Sequence, residues 1–288
     1  MKLLSFYEKN KVKLGVRTND GIIDVEAAST STGISVPKTM LEVLTGGNKA
    51  IDQLKQLVLK APSSLQEEDI QFAPAIHNPQ KVVCVGANYR KHAEESGLPI
   101  PKDPIYFSKY ANSLAAHQDK IELPSFTEEV DYEVELVVVM SKQTKKVSPS
   151  EALDHVFGYA VGNDLSARDL QFRSSQWLYG KAIDGFAPIG PYLVTADEIP
   201  YPQNLNLKCW VNGELRQNSN TEDMIFSVAT IISDLSQIMT LEPGDVIFTG
   251  TPEGVILGME QKTWLNSGDE IVCEIDGLGR LVNQLYRN

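Results

Sequence analysis

Cationic side chains, cysteines and long apolar runs are all scarce in this sequence. Its 288 residues carry 26 lysines and arginines against 38 aspartates and glutamates, a formal net charge of −12. General binding to nucleic acid requires clustered positive charge, so we do not expect it here. The cysteines, Cys84, Cys209 and Cys273, are odd in number and far apart, which predicts reduced, buried thiols rather than a disulfide framework or a zinc site.

The apolar runs are too short for a membrane protein. None approaches the ~20 residues that span a bilayer, and the N-terminal stretch Met-Lys-Leu-Leu-Ser-Phe-Tyr has no apolar segment of signal-peptide length. We therefore expect no membrane association and a cytoplasmic location. Hydrophobic residues at 42% and charged residues at 22% are ordinary for a globular protein, and a chain of this length can bury a sizeable core.

The N-terminal part of the chain predicts a small α+β domain. Residues 2–25 alternate apolar and polar side chains around two turn signals, which is typical of a small antiparallel sheet. Apolar residues recur at helical spacing over 39–60, interrupted by Gly46 and Gly47, and so predict two helices. Proline-containing residues 74–79 then indicate a connection, and we place the domains at 1–75 and 76–288.

Strands dominate the predicted second domain. Short buried strands are expected at 81–86, 245–249 and 270–275, and a hairpin at 210–215 turns at Asn212-Gly213. One helix, over 224–239, carries a continuous apolar stripe. The whole pattern favours a mixed α+β architecture that is mostly β, with a curled or barrel-like sheet.

The segment 131–140 places Glu133 and Glu135 on one face of a predicted buried strand, since alternate residues of a strand share a face. Two carboxylates this close in an apolar setting require a cation or a shared proton. A divalent metal ion is one explanation. An edge strand whose glutamates face water is the other, and this segment alone does not choose between them.

Asp164 lies in a polar cluster at the end of the apolar segment 158–163. It could supply a third carboxylate to a hard cation such as Mg²⁺, with open positions left for water and substrate. Alternatively, Asp164 and Asp169 could only cap the helical turn that follows them, as aspartate often does.

Two further positions suggest acid–base chemistry. His92 precedes Glu95 by three residues and shares its face if the segment is helical. A carboxylate that is hydrogen-bonded to one ring nitrogen of a histidine raises the basicity of the other ring nitrogen, although such pairs also occur without function. Lys181 lies among small and apolar residues, where its cation could hold a substrate oxygen or a developing enolate. The turn 249–254 could offer backbone N–H groups and the Thr251 hydroxyl to an anion, or be a simple reversal.

Taken in order, five motifs of this chain resemble the fumarylacetoacetate hydrolase family. They are Gly-x-Asn-Tyr-x-x-His-x-x-Glu (86–95), Glu-x-Glu (133–135), Asn-Asp-x-Ser-Ala-Arg-Asp-x-Gln (163–171), Gly-Lys (180–181) and Thr-Gly-Thr-Pro-x-Gly-Val (249–255). The resemblance runs from about residue 80 to the C-terminus. It implies a β-sandwich roll catalytic fold with a small extra N-terminal domain, a homodimer, and bound Mg²⁺, with Mn²⁺ or Ca²⁺ as alternatives.

The resemblance also implies roles for single residues. The implied metal ligands are Glu133, Glu135 and Asp164. The implied catalytic residues are His92 and Glu95, which activate water on a mobile lid, and Lys181, the cation near the enolate. The implied substrate contacts are Tyr89, Lys109, Arg168, Gln171 and Thr251.

From these roles we expect a Mg²⁺-dependent hydrolase that cleaves a C–C bond in acylpyruvate-type β-diketo acids, such as fumarylacetoacetate or fumarylpyruvate. Water deprotonated by His92 would attack the distal carbonyl, and the cation and Lys181 would stabilise the resulting enolate. The same enolate arises when oxaloacetate loses CO₂, so an oxaloacetate decarboxylase is an alternative, as is an isomerase or hydratase of unsaturated 2-oxo dicarboxylic acids. A third hypothesis is a non-catalytic metabolite-binding protein that kept the fold.

Overall fold

Strands outnumber helices in the computed structural model, which describes residues 1–97 and 99–287. The strands are β1 (Lys2–Glu8), β2 (Lys11–Thr18), β3 (Gly21–Asp24), β4 (Gln71–Ala73), β5 (Val82–Gly86), β6 (Ile105–Lys109), β7 (Leu114–Ala115), β8 (Lys120–Glu122), β9 (Val130–Asp131), β10 (Val134–Met140), β11 (Val156–Asn163), β12 (Ser166–Ala167), β13 (Ala187–Thr195), β14 (Asn206–Val211), β15 (Glu214–Asn220), β16 (Val246–Phe248), β17 (Glu270–Ile275) and β18 (Gly279–Tyr286). The α-helices are α1 (Val25–Thr32), α2 (Met40–Val58), α3 (Arg90–Glu95), α4 (Pro149–Ala152), α5 (Arg168–Gln171), α6 (Leu178–Lys181) and α7 (Val228–Ile238). The predicted mixed α+β class is confirmed.

A large sheet spans most of the chain. Its strands pair in the order β3-β2-β1-β13-β11-β10-β16-β5-β6, while β4 adds to β1 and β7 to β13. Among the described strands this order is linear, so the sheet is open rather than a closed barrel. The strand that carries Glu135, β10, pairs with β11 on one side and β16 on the other. The edge-strand explanation for the glutamates is therefore wrong.

Both faces of the large sheet are covered. A second sheet, in the order β15-β14-β17-β18-β8, packs on one face, where Leu136 and Val138 of β10 share a core with Cys209 of β14. On the other face, Val137 lies in a separate core with Leu54 of α2. The alternation predicted for this strand is thus confirmed, and a charged side chain on it must be neutralised inside the protein.

The N-terminal elements follow the predicted pattern with one addition. Strands β1 to β3 form antiparallel hairpins, and α2 consists of two helical segments that meet at Gly47, whose φ of 54° and ψ of −140° are not helical. The helix α1 was not predicted. Asp24 begins it by accepting hydrogen bonds from the N–H groups of Glu26 and Ala27. Because β1 also pairs with β13, the N-terminal segment shares the large sheet, and the boundary after residue 75 stays a prediction.

The strand predicted over 131–140 is interrupted. β9 ends at Asp131 and pairs with β12, whereas β10 begins only at Val134. Between them, the N–H of Tyr132 donates to the Asp131 carboxylate at 2.9 Å, and the N–H of Glu133 donates to Asn163 Oδ1 at 3.0 Å. The expectation of one regular strand was wrong because these side chains replace strand-to-strand hydrogen bonds.

Other expectations are confirmed with small changes of boundary. The hairpin turns at Asn212 and Gly213, whose φ angles are 51° and 79°. The helix predicted from residue 224 begins at Val228, because the Ser227 side chain caps it by accepting from the N–H of Thr230. All three cysteines are free and buried. Among the described residues, no helix has the length and apolar character needed to cross a membrane.

Gly158 of β11 provides a test of the register in the large sheet. A Cβ at this position would lie 2.2 Å from the carbonyl oxygen of Val194 on β13, a backbone atom that cannot move without separating two central strands. We expect Gly158→Ala to lower the free energy of unfolding in urea by about 2–3 kcal/mol. Gly213→Asn is the control, because nothing lies within 4 Å of a Cβ there and asparagine tolerates positive φ. A Gly158→Ala protein as stable as the parent would contradict this register.

Candidate metal and catalytic site

Three carboxylates converge where β9, β10 and β11 meet. Glu133, Glu135 and Asp164 are buried and bring oxygen atoms within 4.8 Å of one another. The backbone holds two of them together, since the N–H of Asp164 donates to the carbonyl oxygen of Glu133 at 2.9 Å. The structure therefore brings together the three side chains that were predicted to bind a metal, and Asp164 does not serve as the cap of α5, whose N-cap residue is Ala167.

Buried cations contact two of these carboxylates. Lys181 Nζ lies 2.6 Å from Glu133 Oε2 and 2.7 Å from Asp164 Oδ2. Lys109 Nζ lies 2.6 Å from the other oxygen of Asp164. Arg168 Nη2 lies 2.6 Å from Glu133 Oε1. Each of these ion pairs is shielded from water and is stronger than a surface pair would be.

The cluster contains more negative than positive groups. A fourth buried carboxylate, Asp131, lies 2.9 Å from Arg168 Nη2. The acidic members are Asp131, Glu133, Glu135 and Asp164, and the basic members are Lys109, Arg168 and Lys181. If all were ionised, one negative charge would remain without a partner. That charge falls on Glu135, which accepts a hydrogen bond from the N–H of Gly250 at 2.7 Å and has no cation in ion-pair contact among the described residues.

The pKa values of Glu135, Glu133 and Lys181 follow this distribution of charge, whereas the pKa of Lys109 is lowered, mainly by burial. Burial, together with the charges of Asp164 and Glu133, raises the pKa of Glu135 well above its ordinary value. Burial would also raise the pKa of Glu133, but Lys181 and Arg168 outweigh it and hold that pKa well below the ordinary value. Burial lowers the pKa of Lys181, yet Asp164 and Glu133 more than compensate, so the net pKa is raised. Lys181 is therefore an ammonium ion at neutral pH.

These residues fit a hard divalent cation. Carboxylate oxygens are the ligands that Mg²⁺ and Mn²⁺ prefer, and three of them lie within reach of a common centre. A cation at this centre would also neutralise the unpartnered charge of Glu135, whose burial is otherwise costly. The Lys181 ammonium, which lies between Glu133 and Asp164, already provides part of that neutralisation.

A histidine–glutamate pair on α3 faces the same region. His92 Nδ1 lies 2.9 Å from Glu95 Oε1, and Glu95 Oε2 accepts the N–H of Gly254 at 2.9 Å. Gly258 packs against this carboxylate so closely that a Cβ would lie 2.7 Å from Glu95 Cδ. The predicted helical pair is confirmed, and its carboxylate is held on two sides. Because Nδ1 faces Glu95, the other ring nitrogen, Nε2, is left as the basic one.

A small cavity joins the two groups. Its volume is about 70 Å³, and Phe107, Trp177 and Leu257 form much of its apolar wall. The predicted site residues that line it are His92, Glu133, Glu135, Asp164, Arg168, Gln171, Lys181 and Thr251. A concave space with convergent polar groups and shifted pKa values is where a binding site is expected.

Comparison with known proteins agrees with this arrangement. The family model for the fumarylacetoacetate (FAA) hydrolase C-terminal domain matches residues 81–286. The chain belongs to the fumarylacetoacetate hydrolase family. The matched segment contains all five motifs and every site residue named above.

Relatives of known name cover nearly the whole chain. Oxaloacetate tautomerase FAHD2B, mitochondrial, from Bos taurus is 42% identical over 276 residues, which are 94% of this chain and 87% of the relative. Oxaloacetate tautomerase FAHD2A, mitochondrial, from Homo sapiens is 40% identical over 291 residues, 99% of this chain and 91% of the relative.

Solved structures share the fold along its full length. A fumarylacetoacetate hydrolase from Exiguobacterium antarcticum has a TM-score of 0.87 and 35% identity, with 100% of both chains covered. A maleylpyruvate hydrolase from Sphingobium sp. SYK-6, in complex with manganese(II) ion and pyruvate, has a TM-score of 0.82 and 28% identity, again with 100% of both chains covered. These likenesses confirm the fold of a fumarylacetoacetate hydrolase family member.

Two predicted substrate contacts lie away from the cavity wall. Tyr89 is buried in the core, and its hydroxyl has no hydrogen-bond partner among the described residues. Lys109 lies behind Asp164, where its ammonium group also donates to the carbonyl oxygens of Leu165, at 3.0 Å, and Phe186. The structure therefore gives Lys109 a role in holding Asp164 rather than a direct contact with the cavity.

Two residues that sequence reasoning missed hold the motifs of this family together. Asn88 donates to the carbonyl oxygen of Thr249 at 2.7 Å and accepts from the N–H of Phe226 at 2.8 Å. Gln217 accepts from the N–H of Val134 at 3.0 Å and donates to Thr251 Oγ1 at 2.9 Å. Asn88 belongs to the first motif and could have been found there, whereas Gln217 lies in no motif.

The turn 249–254 was considered as a binding site for an anion. Two of its N–H groups instead donate to carboxylates of the protein, Gly250 to Glu135 and Gly254 to Glu95. Thr251 still lines the cavity. The turn thus positions the carboxylates of Glu135 and Glu95, and Thr251 is the residue of the turn that lines the cavity.

The unequal environments of Glu135 and Glu133 predict opposite effects of the same substitution. We expect Glu135→Gln to raise the melting temperature in EDTA at pH 8 by at least about 3 °C, equivalent to roughly 1 kcal/mol for a protein of this size, because it removes the unpartnered charge. Glu133→Gln should lower it, because Lys181 and Arg168 lose a partner. Both variants should lose the stabilisation that Mn²⁺ confers on the parent.

The pH dependence of this effect has a definite sign. A carboxyl group whose pKa is raised in the folded state binds a proton more tightly there, so Glu135 lowers stability as pH rises above ~4.3, the ordinary glutamate value, through its folded pKa. The advantage of Glu135→Gln in EDTA should therefore be small near pH 4.5 and grow toward pH 8. Thermal unfolding across this range measures it, and an advantage that shrinks as pH rises would contradict the assignment of the excess charge to Glu135.

Proposed function

We propose that this fumarylacetoacetate hydrolase family member is a divalent-cation-dependent enzyme that interconverts the keto and enol forms of oxaloacetate. The observation that carries the proposal is the cavity of about 70 Å³ in which His92 and Lys181 face three buried carboxylates. Its volume is far below the ~300 Å³ of common ligand pockets and suits a small acid. Two relatives that are 40% and 42% identical to the chain are named oxaloacetate tautomerases.

The substrate would be held by its 2-oxo acid group. Glu133, Glu135 and Asp164 would bind the cation, Mg²⁺ or Mn²⁺, which supplies a Lewis acid that favours loss of a proton beside the 2-oxo group. Arg168 lies beside this site, 2.6 Å from Glu133, and its contacts with the described residues leave one Nη1 N–H of the guanidinium to donate to a substrate carboxylate. Gln171 accepts from Arg168 Nη1 at 2.9 Å and fixes its orientation at the cavity.

His92 would move the proton. Glu95 holds Nδ1, so Nε2 takes a proton from C3 of the keto acid and the electrons of the C–H bond move toward the 2-oxo oxygen. The imidazolium then returns the proton to that oxygen, so the enol forms without net gain or loss of a proton. Lys181 remains an ammonium ion and stabilises the negative charge on the oxygen.

Hydrolysis of an acylpyruvate is the second candidate, and the His92–Glu95 pair favours it. In that reaction His92 would deprotonate water rather than carbon, and the C–C bond of the diketo acid would break. A solved structure similar to this chain is a maleylpyruvate hydrolase with manganese(II) and pyruvate. Decarboxylation of oxaloacetate would require the cation and Lys181 but no base at His92, which makes His92 the residue that separates decarboxylation from the other two reactions.

The homodimer and the cytoplasmic location remain predictions for this chain. The oxaloacetate tautomerases to which it is similar are named as mitochondrial proteins, so the compartment is tested separately, by fractionation of cells that express the full chain.

The test compares the parent, His92→Ala and a control, His77→Ala, with Mg²⁺ or Mn²⁺. The parent should accelerate the approach of fresh enol-oxaloacetate to tautomeric equilibrium, followed by the loss of enol absorbance. His92→Ala should reduce that rate by about 10²–10⁴-fold, the usual contribution of a positioned acid–base group. His77 is exposed, and its variant should retain the parental rate.

Three results would exclude the tautomerase. A parent that leaves the tautomer rate unchanged but cleaves maleylpyruvate is a hydrolase. A parent that leaves the tautomer rate unchanged but releases CO₂ from oxaloacetate, with His92→Ala equally active, is a decarboxylase. A parent that binds 2-oxo acids in titration calorimetry but converts none of them is a binding protein.

A further inference from the structure

Asp131 is a buried carboxylate without a role in the reaction described above. It lies two residues before Glu133 and is fully shielded from solvent. Each of its oxygens has two partners. Oδ1 accepts from the N–H groups of Tyr132 at 2.9 Å and Ile256 at 2.8 Å, and Oδ2 accepts from the N–H of Leu257 and from Arg168 Nε, both at 3.0 Å.

The partners of Asp131 lead to two parts of the site. Arg168 lines the cavity next to the proposed cation, and Leu257 forms part of the cavity wall. The segment 254–258 also holds the dyad, through the N–H of Gly254 and the close packing of Gly258 on Glu95. The Asp131 carboxylate thus joins Arg168 to the segment 254–258, which holds Glu95 and, through it, His92.

We infer that Asp131 is a positioning residue that fixes the Arg168 guanidinium for binding of the substrate carboxylate and fastens the segment 256–257 beside it. The inference rests on the proposed function, since it takes Arg168 as the group that meets that carboxylate. A guanidinium has five N–H donors in a rigid plane. Asp131 takes the Nε donor and one Nη2 donor, and Glu133 and Gln171 take one donor each from Nη2 and Nη1, so the second Nη1 N–H has no acceptor among the described residues.

The charge of Asp131, not only its shape, is required. Asparagine has the same size but replaces one acceptor oxygen by an NH₂ donor. In either orientation, that NH₂ group would face N–H donors that Asp131 now satisfies: Leu257 and Arg168 on one side, or Tyr132 and Ile256 on the other. Asp131→Asn should therefore release the guanidinium while it leaves the metal ligands in place.

The experiment uses the full chain with Mn²⁺ and compares the parent with Asp131→Asn. Asp169→Asn is the matched control, because it makes the same chemical change one residue from Arg168. The Asp169 carboxylate accepts hydrogen bonds from the Thr127 hydroxyl and from the N–H groups of Glu128 and Leu170. We expect Asp131→Asn to raise the KM for oxaloacetate and the Kd for oxalate, measured by titration calorimetry, at least 10-fold. The Kd for Mn²⁺ alone should change less than 3-fold, and Asp169→Asn should resemble the parent in all three.

A double-mutant cycle separates positioning from general support of the fold. If Asp131 acts through Arg168, Asp131→Asn should weaken oxalate binding less than 3-fold when it is made in Arg168→Lys. Additive losses, parental oxalate binding in Asp131→Asn, or a parallel loss of Mn²⁺ binding would each overturn the inference. If the oxalate Kd values of the parent and its variants follow these expectations but the parent does not tautomerise oxaloacetate, the proposed function fails and the role of Asp131 stands.

Discussion

The burial of four carboxylates against three cations is the constraint on which the rest of this site depends. Lys109, Arg168 and Lys181 neutralise every acidic side chain of the cluster except Glu135. A buried charge without a partner is costly, so the pKa of Glu135 is raised at the place where three carboxylate oxygens meet, and a divalent cation there would let this side chain ionise. A bound divalent cation would therefore stabilise this site. That is the physical reason to regard this member of the fumarylacetoacetate hydrolase family as a metalloenzyme.

Backbone N–H groups of the segment 250–257 connect the parts of the site. They donate to three carboxylates: Glu135 at the proposed cation site, Glu95 beside His92, and Asp131 beside Arg168. Because one segment holds all three carboxylates, a shift in it would disturb Glu135, His92 and Arg168 together. The cavity enclosed between them is narrow, which agrees with the proposed small acid substrate.

Sequence reasoning reached the residues whose chemistry is unusual for their surroundings. Glu135 on an apolar strand and His92 three residues from Glu95 could be found from spacing alone, and the structure places both at the cavity. It did not reach contacts that join distant parts of the chain. The break in the strand after Asp131 depends on Asn163, whose side chain accepts a hydrogen bond from the N–H of Glu133, 30 residues away in sequence. Nothing in the sequence near Glu133 indicates which side chain will accept that bond.

The most direct test of this account is anomalous diffraction from crystals of the full chain soaked in Mn²⁺. The account predicts a peak about 2.1–2.4 Å from oxygens of Glu133, Glu135 and Asp164, with the Lys181 ammonium moved from its position between Glu133 and Asp164. No peak at this centre under saturating Mn²⁺, with Lys181 still in contact with both carboxylates, would contradict the claim that the excess charge is there to bind a cation.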